Sequence, residues 1–343
     1  MRLIEKVWFY QHPAKWLLVP LLLPFSLLFY LLTTLRVALY RMGVKRSIKP
    51  ALPVVVVGNI GVGGNGKTPV AIYLIEQCQQ VGIKVGVISR GYGGKAPHYP
   101  YLLDGKSSAK EAGDEPLLIY QRCQVPVVVG ADRIASAAVL AEQGCQLIIA
   151  DDGLQHYRLQ RDIEVIVIDG KRLFGNELLL PAGPLREGLA RLKSSAHLVV
   201  NGDLAQANKM TSPYATMRLQ ATKVVNLVSG ERISIDDFCQ QYVKVNAIAG
   251  IGDPERFFTT LTALGLCVTA SKGFVDHQSY NETSFNEFDA SKPLLMTEKD
   301  AVKCYSFAQG NWWYLPVDAS FNEQEITPLM TEIKCLVKKT NMA

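Results

Sequence analysis

The sequence predicts an α/β protein: a mostly parallel sheet with helices on both faces, a second and smaller α/β unit, and an N-terminal hydrophobic helix. Three observations predict it. After Pro50, short aliphatic runs alternate with helical stretches, the order that strand–helix–strand crossovers produce. One of those junctions, "GNIGVGGNGKT" from Gly58 to Thr68, concentrates glycine between a strand and a helix. Ahead of all this, "WLLVPLLLPFSLLFYLLTTL" at residues 16–35 carries no charge.

The uncharged run is long enough to matter, since about 20 apolar residues span a bilayer. Pro20 and Pro24 interrupt it, and lipid-embedded helices tolerate such breakers better than water-exposed ones. No small-residue cleavage site follows; "LRVALYRMGVKR" is bulky and basic, which argues against a cleaved signal peptide. A buried core helix is the alternative. The reading preferred is a membrane-inserted or interfacial anchor, with Trp16 and Tyr30 near its ends. The bases between Arg36 and Lys49 would meet anionic headgroups at about 1 kcal/mol each, on the cytoplasmic side. The basicity is local. Residues 1–75 hold nine bases and one acid, Glu5, so the remainder is net −3 within a total of +5. That excludes a nucleic-acid-binding surface extending over the whole chain. The seven cysteines are scattered without a C-x-x-C pair. They fit a reducing compartment and argue against a disulfide framework or a zinc site.

"LPVVVVG" reads as a strand buried on both faces. A helix from Lys67 to about Gln80 follows, then "KVGVIS", the turn-rich "RGYGG", and a helix near 114–122. "VPVVVG", a helix near 132–143, "CQLIIADDG", "IEVIVIDG" and "AHLVVNG" continue the alternation. A polar stretch from residue 204 weakens the pattern before "VNAIAGIG", a helix from Pro254, "KPLLMTEKD" and "WWYLPVD" resume it. The expected division is 1–49 as anchor with basic flank, 50–203 as the main domain, and 204–343 as a second domain closing over a cleft.

The glycine-rich junction answers to G-x-x-x-x-G-K-[ST] at Gly61, Gly66, Lys67 and Thr68. Amides across Gly61, Val62, Gly63, Gly64, Asn65 and Gly66 would curl around phosphate oxygens, with the following helix adding its positive end. Lys67 would reach the β- and γ-phosphates and Thr68 would ligate Mg²⁺. The strand before and the helix after supply the context such a motif requires, so the main domain is of P-loop NTPase type. A P-loop site also needs a carboxylate on a neighbouring strand, and "QLIIADDG" ends in Asp151 and Asp152. No N-K-x-D motif is present, because "TEKD" places Lys299 and Asp300 side by side. The signature lysine of partitioning-type ATPases is replaced by Val62. Neither a GTPase nor that ATPase class fits.

Further candidates follow in the loops: Gln155 and His156 after the paired acids, Arg186 and Glu187 in "PAGPLRE", Asp114 and Glu115 in "GDEP", and Asp276 and His277 in "FVDHQSY". Singly each could be a cap or a solvated side chain. As an ordered set with "SRGYGG" and "GIGDPERFF", they resemble the tetraacyldisaccharide 4'-kinase family, the lipid A 4'-kinases, from the anchor to about "TEKDAVK". The last 35 residues carry no recognisable signal.

The resemblance implies transfer of the ATP γ-phosphate to the 4'-hydroxyl of an acylated glucosamine disaccharide 1-phosphate, forming lipid IVA. It implies work at the cytoplasmic face of the inner membrane, without nucleic acid and with no obligate protein partner in evidence. Residue by residue, Lys67 and Thr68 match the phosphate and magnesium contacts. Asp114 and His277 match a pair that activates the acceptor hydroxyl, with Glu115 and Asp276 beside them. Asp151, Asp152, Gln155 and Glu187 match the metal end of the site, with His156 near the γ-phosphate and Arg186 against the transferred group. Two other readings remain open from the residues: a nucleotide-switched membrane ATPase, and a P-loop kinase of a soluble acceptor.

Overall fold

The computed structural model describes residues 3–193, 197–206, 210 and 212–341. In chain order its strands are β1 Val54–Gly58, β2 Val85–Ser89, β3 Tyr101–Leu102, β4 Val127–Val129, β5 Leu147–Asp151, β6 Ile163–Asp169, β7 His197–Asn201, β8 Ala215–Gln220, β9 Lys223–Asn226, β10 Arg232–Ser234, β11 Lys244–Ala249, β12 Cys267–Gly273, β13 Leu294–Thr297, β14 Trp312–Leu315 and β15 Asp318–Phe321. They form two sheets. The larger runs β15-β8-β7-β6-β1-β5-β2-β4-β3 and the smaller runs β10-β9-β14-β13-β11-β12.

In the larger sheet every pairing from β8 through β4 is parallel, and only the edge strands β3 and β15 run antiparallel. Its central strands β1, β2, β4 and β5 are buried along their whole lengths. Helices on both faces leave no wet side, which is why those strands read as unbroken aliphatic runs. Register then does the functional work. Val57 pairs with Asp151, Gly58 with Ile166, and Asp169 with Asn201. Asp151, Asp169 and Asn201 therefore emerge with the glycine-rich loop at one carboxyl edge, where open α/β sheets bind ligands.

The expected boundary at residue 204 does not coincide with the change of sheet. β8 and β15 both belong to the larger sheet, so the chain crosses between sheets twice, at 221–222 and at 316–317. The C-terminal helix Glu323–Asn341 also returns to the larger unit. It buries Ile326, Leu329, Met330, Ile333 and Val337 against the helix Lys67–Gln80 and its core. The smaller sheet closes its own core around Phe238, Phe257, Phe258, Leu261 and Trp313.

The N-terminal helix runs from Lys15 to Arg41, with its most apolar window at a mean hydropathy of 2.1 and 6% buried. Ser26 is its one buried residue. That hydroxyl donates to the Leu179 carbonyl at 2.9 Å and accepts the Ala182 amide at 2.9 Å. Leucines and aromatics elsewhere on the helix stand in the open, among them Trp16, Leu17, Leu21, Phe25, Leu28 and Leu31.

Candidate active site

A cleft of about 2290 Å³ runs from the C-terminal half of the N-terminal helix, past the glycine-rich loop, to the smaller sheet. Gly63, Gly64, Asn65, Gly66, Lys67 and Thr68 line it. The loop is held in shape from behind. Gly63 and Gly66 sit at φ +105° and +93°, a region that favours glycine. A Cβ on Gly66 would come within 2.6 Å of Asn201 Nδ2. Asn201 donates to the Asn65 carbonyl and Arg172 to the Gly64 carbonyl, at 3.2 and 3.0 Å. The expectation for Val62 needs correction. Its amide donates to the Pro184 carbonyl at 2.9 Å, and Gly61 and Val62 lie outside the cleft lining. The part of the loop that lines the cleft begins at Gly63.

The two acids at the end of β5 have different surroundings. Asp152 adopts φ +49° and meets Lys67 Nζ and an Arg186 guanidinium nitrogen, each at 3.4 Å. Burial alone would raise its carboxyl; the charges of Lys67 and Arg186 prevail and hold it below the ordinary carboxylate range. Asp151 is fully buried, and neither carboxylate oxygen has a hydrogen-bond partner among the described residues. Burial first, and then the negative charge of Glu115, push it up to about 7. Arg133 packs beneath the pair, donating to the carbonyls of Ile88 and Asp151 at 3.2 Å each and of Asp152 at 3.4 Å. An unpartnered buried carboxylate beside a phosphate loop fits a divalent cation, and Mg²⁺ keeps waters and phosphate oxygens in most of its positions. Among the described residues no three His, Cys, Asp or Glu side chains cluster as a metal set.

Glu187 is correspondingly not free to be a ligand. It accepts from Gln155 Nε2 at 2.8 Å and the Tyr157 hydroxyl at 2.7 Å, and pairs with Arg191 at 3.2 Å. Gln155 also donates to the Asn59 carbonyl and accepts from Arg186 at 3.5 Å, so both Gln155 and Glu187 are engaged with protein partners. His156 lines the cleft with Nε2 buried and without a hydrogen-bond partner among the described residues. Burial, then Arg133, Arg36 and Arg161, push it down to about 4, so the imidazole is neutral.

Asp114 and His277 lie 163 residues apart in the chain and meet at 3.1 Å, Oδ2 to Nδ1. Asp114 opens the helix Asp114–Cys123 of the larger unit; His277, at φ +63°, stands in a loop of the smaller one. The Tyr92 ring packs edge-on against the imidazole at 5.1 Å. Burial would raise the Asp114 carboxyl, but the His277 hydrogen bond and the charges of Lys303 and Lys299 hold it low. An ionised carboxylate only accepts, so His277 Nδ1 carries the proton. Beside this pair Lys299 bridges Glu115 at 2.9 Å and Asp276 at 3.0 Å. The Lys299–Glu115 pair therefore ties the two units, and Asp276 holds Lys299 from within the smaller one.

The match to known proteins now has a geometry to stand on. The family model for tetraacyldisaccharide-1-P 4'-kinase covers residues 18–334. The chain belongs to that family. Relatives named tetraacyldisaccharide 4'-kinase include one from Colwellia psychrerythraea, 61% identical with 95% of each chain covered, and one from Vibrio cholerae, 48% identical with 97% of each covered. A crystal structure of LpxK from Aquifex aeolicus in complex with ATP superposes with a TM-score of 0.79 at 29% identity, covering 93% of this chain and 99% of that one. Family membership makes the chain a kinase of P-loop architecture.

Several residues of this kinase site escaped the sequence reading: Arg133, Arg172, Asn201, Lys299 and Lys303. Asp169 had a signal, since "IEVIVIDG" ends in an acid just as "QLIIADDG" does. The basic residues had none, because a buried arginine under a loop has the same local pattern as a solvated one.

Proposed function

We propose that this kinase transfers the γ-phosphate of ATP to the 4'-hydroxyl of a tetraacyldisaccharide 1-phosphate, giving lipid IVA, at the cytoplasmic face of the inner membrane with Mg²⁺. One observation carries the reading. The Asp114–His277 pair joins two units across a cleft that has the phosphate loop in its wall and the apolar helix at one end. An acceptor whose acyl chains stay in the bilayer needs that arrangement.

The chemistry follows from the side chains present. The loop amides from Gly63 to Thr68 and the Lys67 ammonium hold the phosphates, and Arg186 neutralises charge that spreads over the transferring group. Thr68, Asp151 and Asp152 are the residues that would hold Mg²⁺, which supplies Lewis-acid neutralisation of the phosphate oxygens when bound. Asp114 accepts the proton of the 4'-hydroxyl as its oxygen bonds to phosphorus and the bond to the β-phosphate oxygen breaks, releasing ADP. His277 fixes the carboxylate through its Nδ1–H. Lys299, between Glu115 and Asp276, holds the units together and keeps out water that would otherwise take the phosphoryl group.

The anchoring reading rests on Ser26. A helix tied at its middle to the catalytic body cannot thread a bilayer unless that body enters too, so it lies in the interface beside its substrate. The basic residues from Arg36 to Lys49 then face anionic headgroups.

The test uses the purified chain, Mg²⁺, γ-labelled ATP and the tetraacylated disaccharide 1-phosphate in detergent micelles. Label appears in the lipid, and Lys67→Ala abolishes the transfer. ATP hydrolysis without lipid labelling would favour the membrane-ATPase reading instead.

A further inference from the structure

Lys303 is a buried cation with two acids. Its side chain is 4% exposed, and Nζ lies 3.0 Å from Asp300 Oδ1 and 3.6 Å from Asp114 Oδ2. It also sits over the Tyr280 ring, 4.7 Å from the centroid. Asp300 is fully buried and already satisfied: it accepts from the Gly250 amide at 2.9 Å, the Thr297 hydroxyl at 2.6 Å and the Tyr280 hydroxyl at 2.7 Å. Three neutral donors besides Lys303 hold Asp300, so Lys303 adds charge there without being its sole partner. Its second contact is the informative one. His277 and Lys303 both converge on Oδ2 of Asp114, and Oδ1 has no hydrogen-bond partner among the described residues.

We propose that Lys303 is a positioning residue for phosphoryl transfer: with His277 it clamps Asp114 Oδ2, so that the carboxylate stays ionised and presents Oδ1 to the acceptor hydroxyl. The inference rests on the reading of Asp114 as the base. A carboxylate at this depth needs opposite charge nearby to remain an anion, and the Lys303 ammonium stands 3.6 Å from Oδ2. Lys299 contributes charge from the same helical turn but spends its bonds on Glu115 and Asp276. The remaining ionisable neighbours, Asp300, Tyr280 and Cys304, are acids. They add no positive charge, which leaves Lys303 to balance the site.

The experiment is the pH profile of lipid phosphorylation by the full chain, from pH 3 to 9, for wild type, Lys303→Met, Lys303→Arg and Asp114→Asn. Removing a cation within 4 Å raises a carboxylate's pKa by about 1–3 units. The acid limb of kcat/KM should therefore move to higher pH in Lys303→Met by about one unit or more, with activity relative to wild type recovering as pH rises. Lys303→Arg should restore the limb, and KM for ATP should stay within about twofold of wild type in both. A uniform loss across the pH range, with the limb unmoved, would overturn the proposal and leave Lys303 a packing residue. Full activity in Asp114→Asn would instead remove the base reading itself, so the two failures are distinguishable. Should Lys303→Met alone not fold, Lys303→Met/Asp300→Asn removes both members of the buried pair, a change cores tolerate better. The same shifted limb is expected there, and an unshifted one overturns the proposal.

Discussion

At the scale of single residues, the proposed mechanism separates groups that bind from groups that react. On that mechanism Asp114→Asn removes the acceptor of the hydroxyl proton while leaving the phosphate loop untouched. Turnover should fall about 10²–10⁴-fold, the usual contribution of a general base, with ATP affinity by calorimetry unchanged. A parallel loss of ATP binding would show that Asp114 serves the nucleotide instead. His156 gives a stability prediction with a definite sign. Its imidazole is held neutral to about 4, against 6.5 for an ordinary histidine, by burial and three arginines. The unfolded chain therefore binds this proton first, and stability is lost as pH falls from 6.5 towards 4. His156→Gln should melt closer to its pH 7.5 temperature at pH 5 than wild type does; an identical decline in both would refute the assignment. How legible these residues were depends on where they sit. Lys67, Thr68, Asp151 and Asp152 follow strands whose burial is written in the sequence. Lys303 and Arg133 are identified by contacts with residues far away in the chain, and nothing local marks them.

At the scale of elements, the strand–helix alternation was readable because burial on both faces forces aliphatic runs of four or five residues. The helix Lys67–Gln80 starts and stops where the loop motif and the pattern place it. The C-terminal helix was illegible for a physical reason. An amphipathic stripe says that a face is buried, not which sheet it is buried against, and here it returns past a whole second unit. Ile333, fully buried in the core of the larger unit, tests that placement. Ile333→Ala should cost about 2–5 kcal/mol, seen as a lower midpoint for the transition that also loses ATP binding. A change confined to a separate transition of the smaller unit would contradict the topology. The N-terminal helix makes the complementary case, since its exposed leucines stabilise nothing within the protein. Leu28→Glu with Leu31→Glu should release the chain from anionic vesicles in a sedimentation assay and leave its melting temperature unmoved. Retention on the vesicles would shift the anchoring role to the basic flank.

At the scale of the whole molecule, the two units are joined by ties of opposite kinds. Arg122 is a half-buried clamp at the chain crossing: it donates to Glu298 at 2.9 Å and to the Val317 carbonyl at 3.0 Å, and pairs with Asp318 and Glu76. Its acids lie on both sides of the crossing at 316–317, so it ties the two sheets together there. Arg256 lies at the cleft, on the helix Pro254–Ala263 of the smaller unit. It pairs at 3.3 Å with Asp169, which also holds Arg172 against the phosphate loop. Arg256 is half exposed, while Asp169 is buried. A pair with one partner in solvent contributes at most about 1 kcal/mol, which is nevertheless enough to change the ratio of closed to open molecules about fivefold. Arg256→Ala should therefore lower kcat/KM for lipid phosphorylation by up to about fivefold, with little change in melting temperature. Salt at 0.5 M should bring wild type towards the variant, because the contact is screened, and should affect the variant less. Arg122→Ala should show the reverse pattern, a loss of about 3–5 kcal/mol of stability from acids left without their cation. If Arg256→Ala instead lowers stability and leaves turnover alone, the tie at Asp169 holds the fold and closure is set elsewhere.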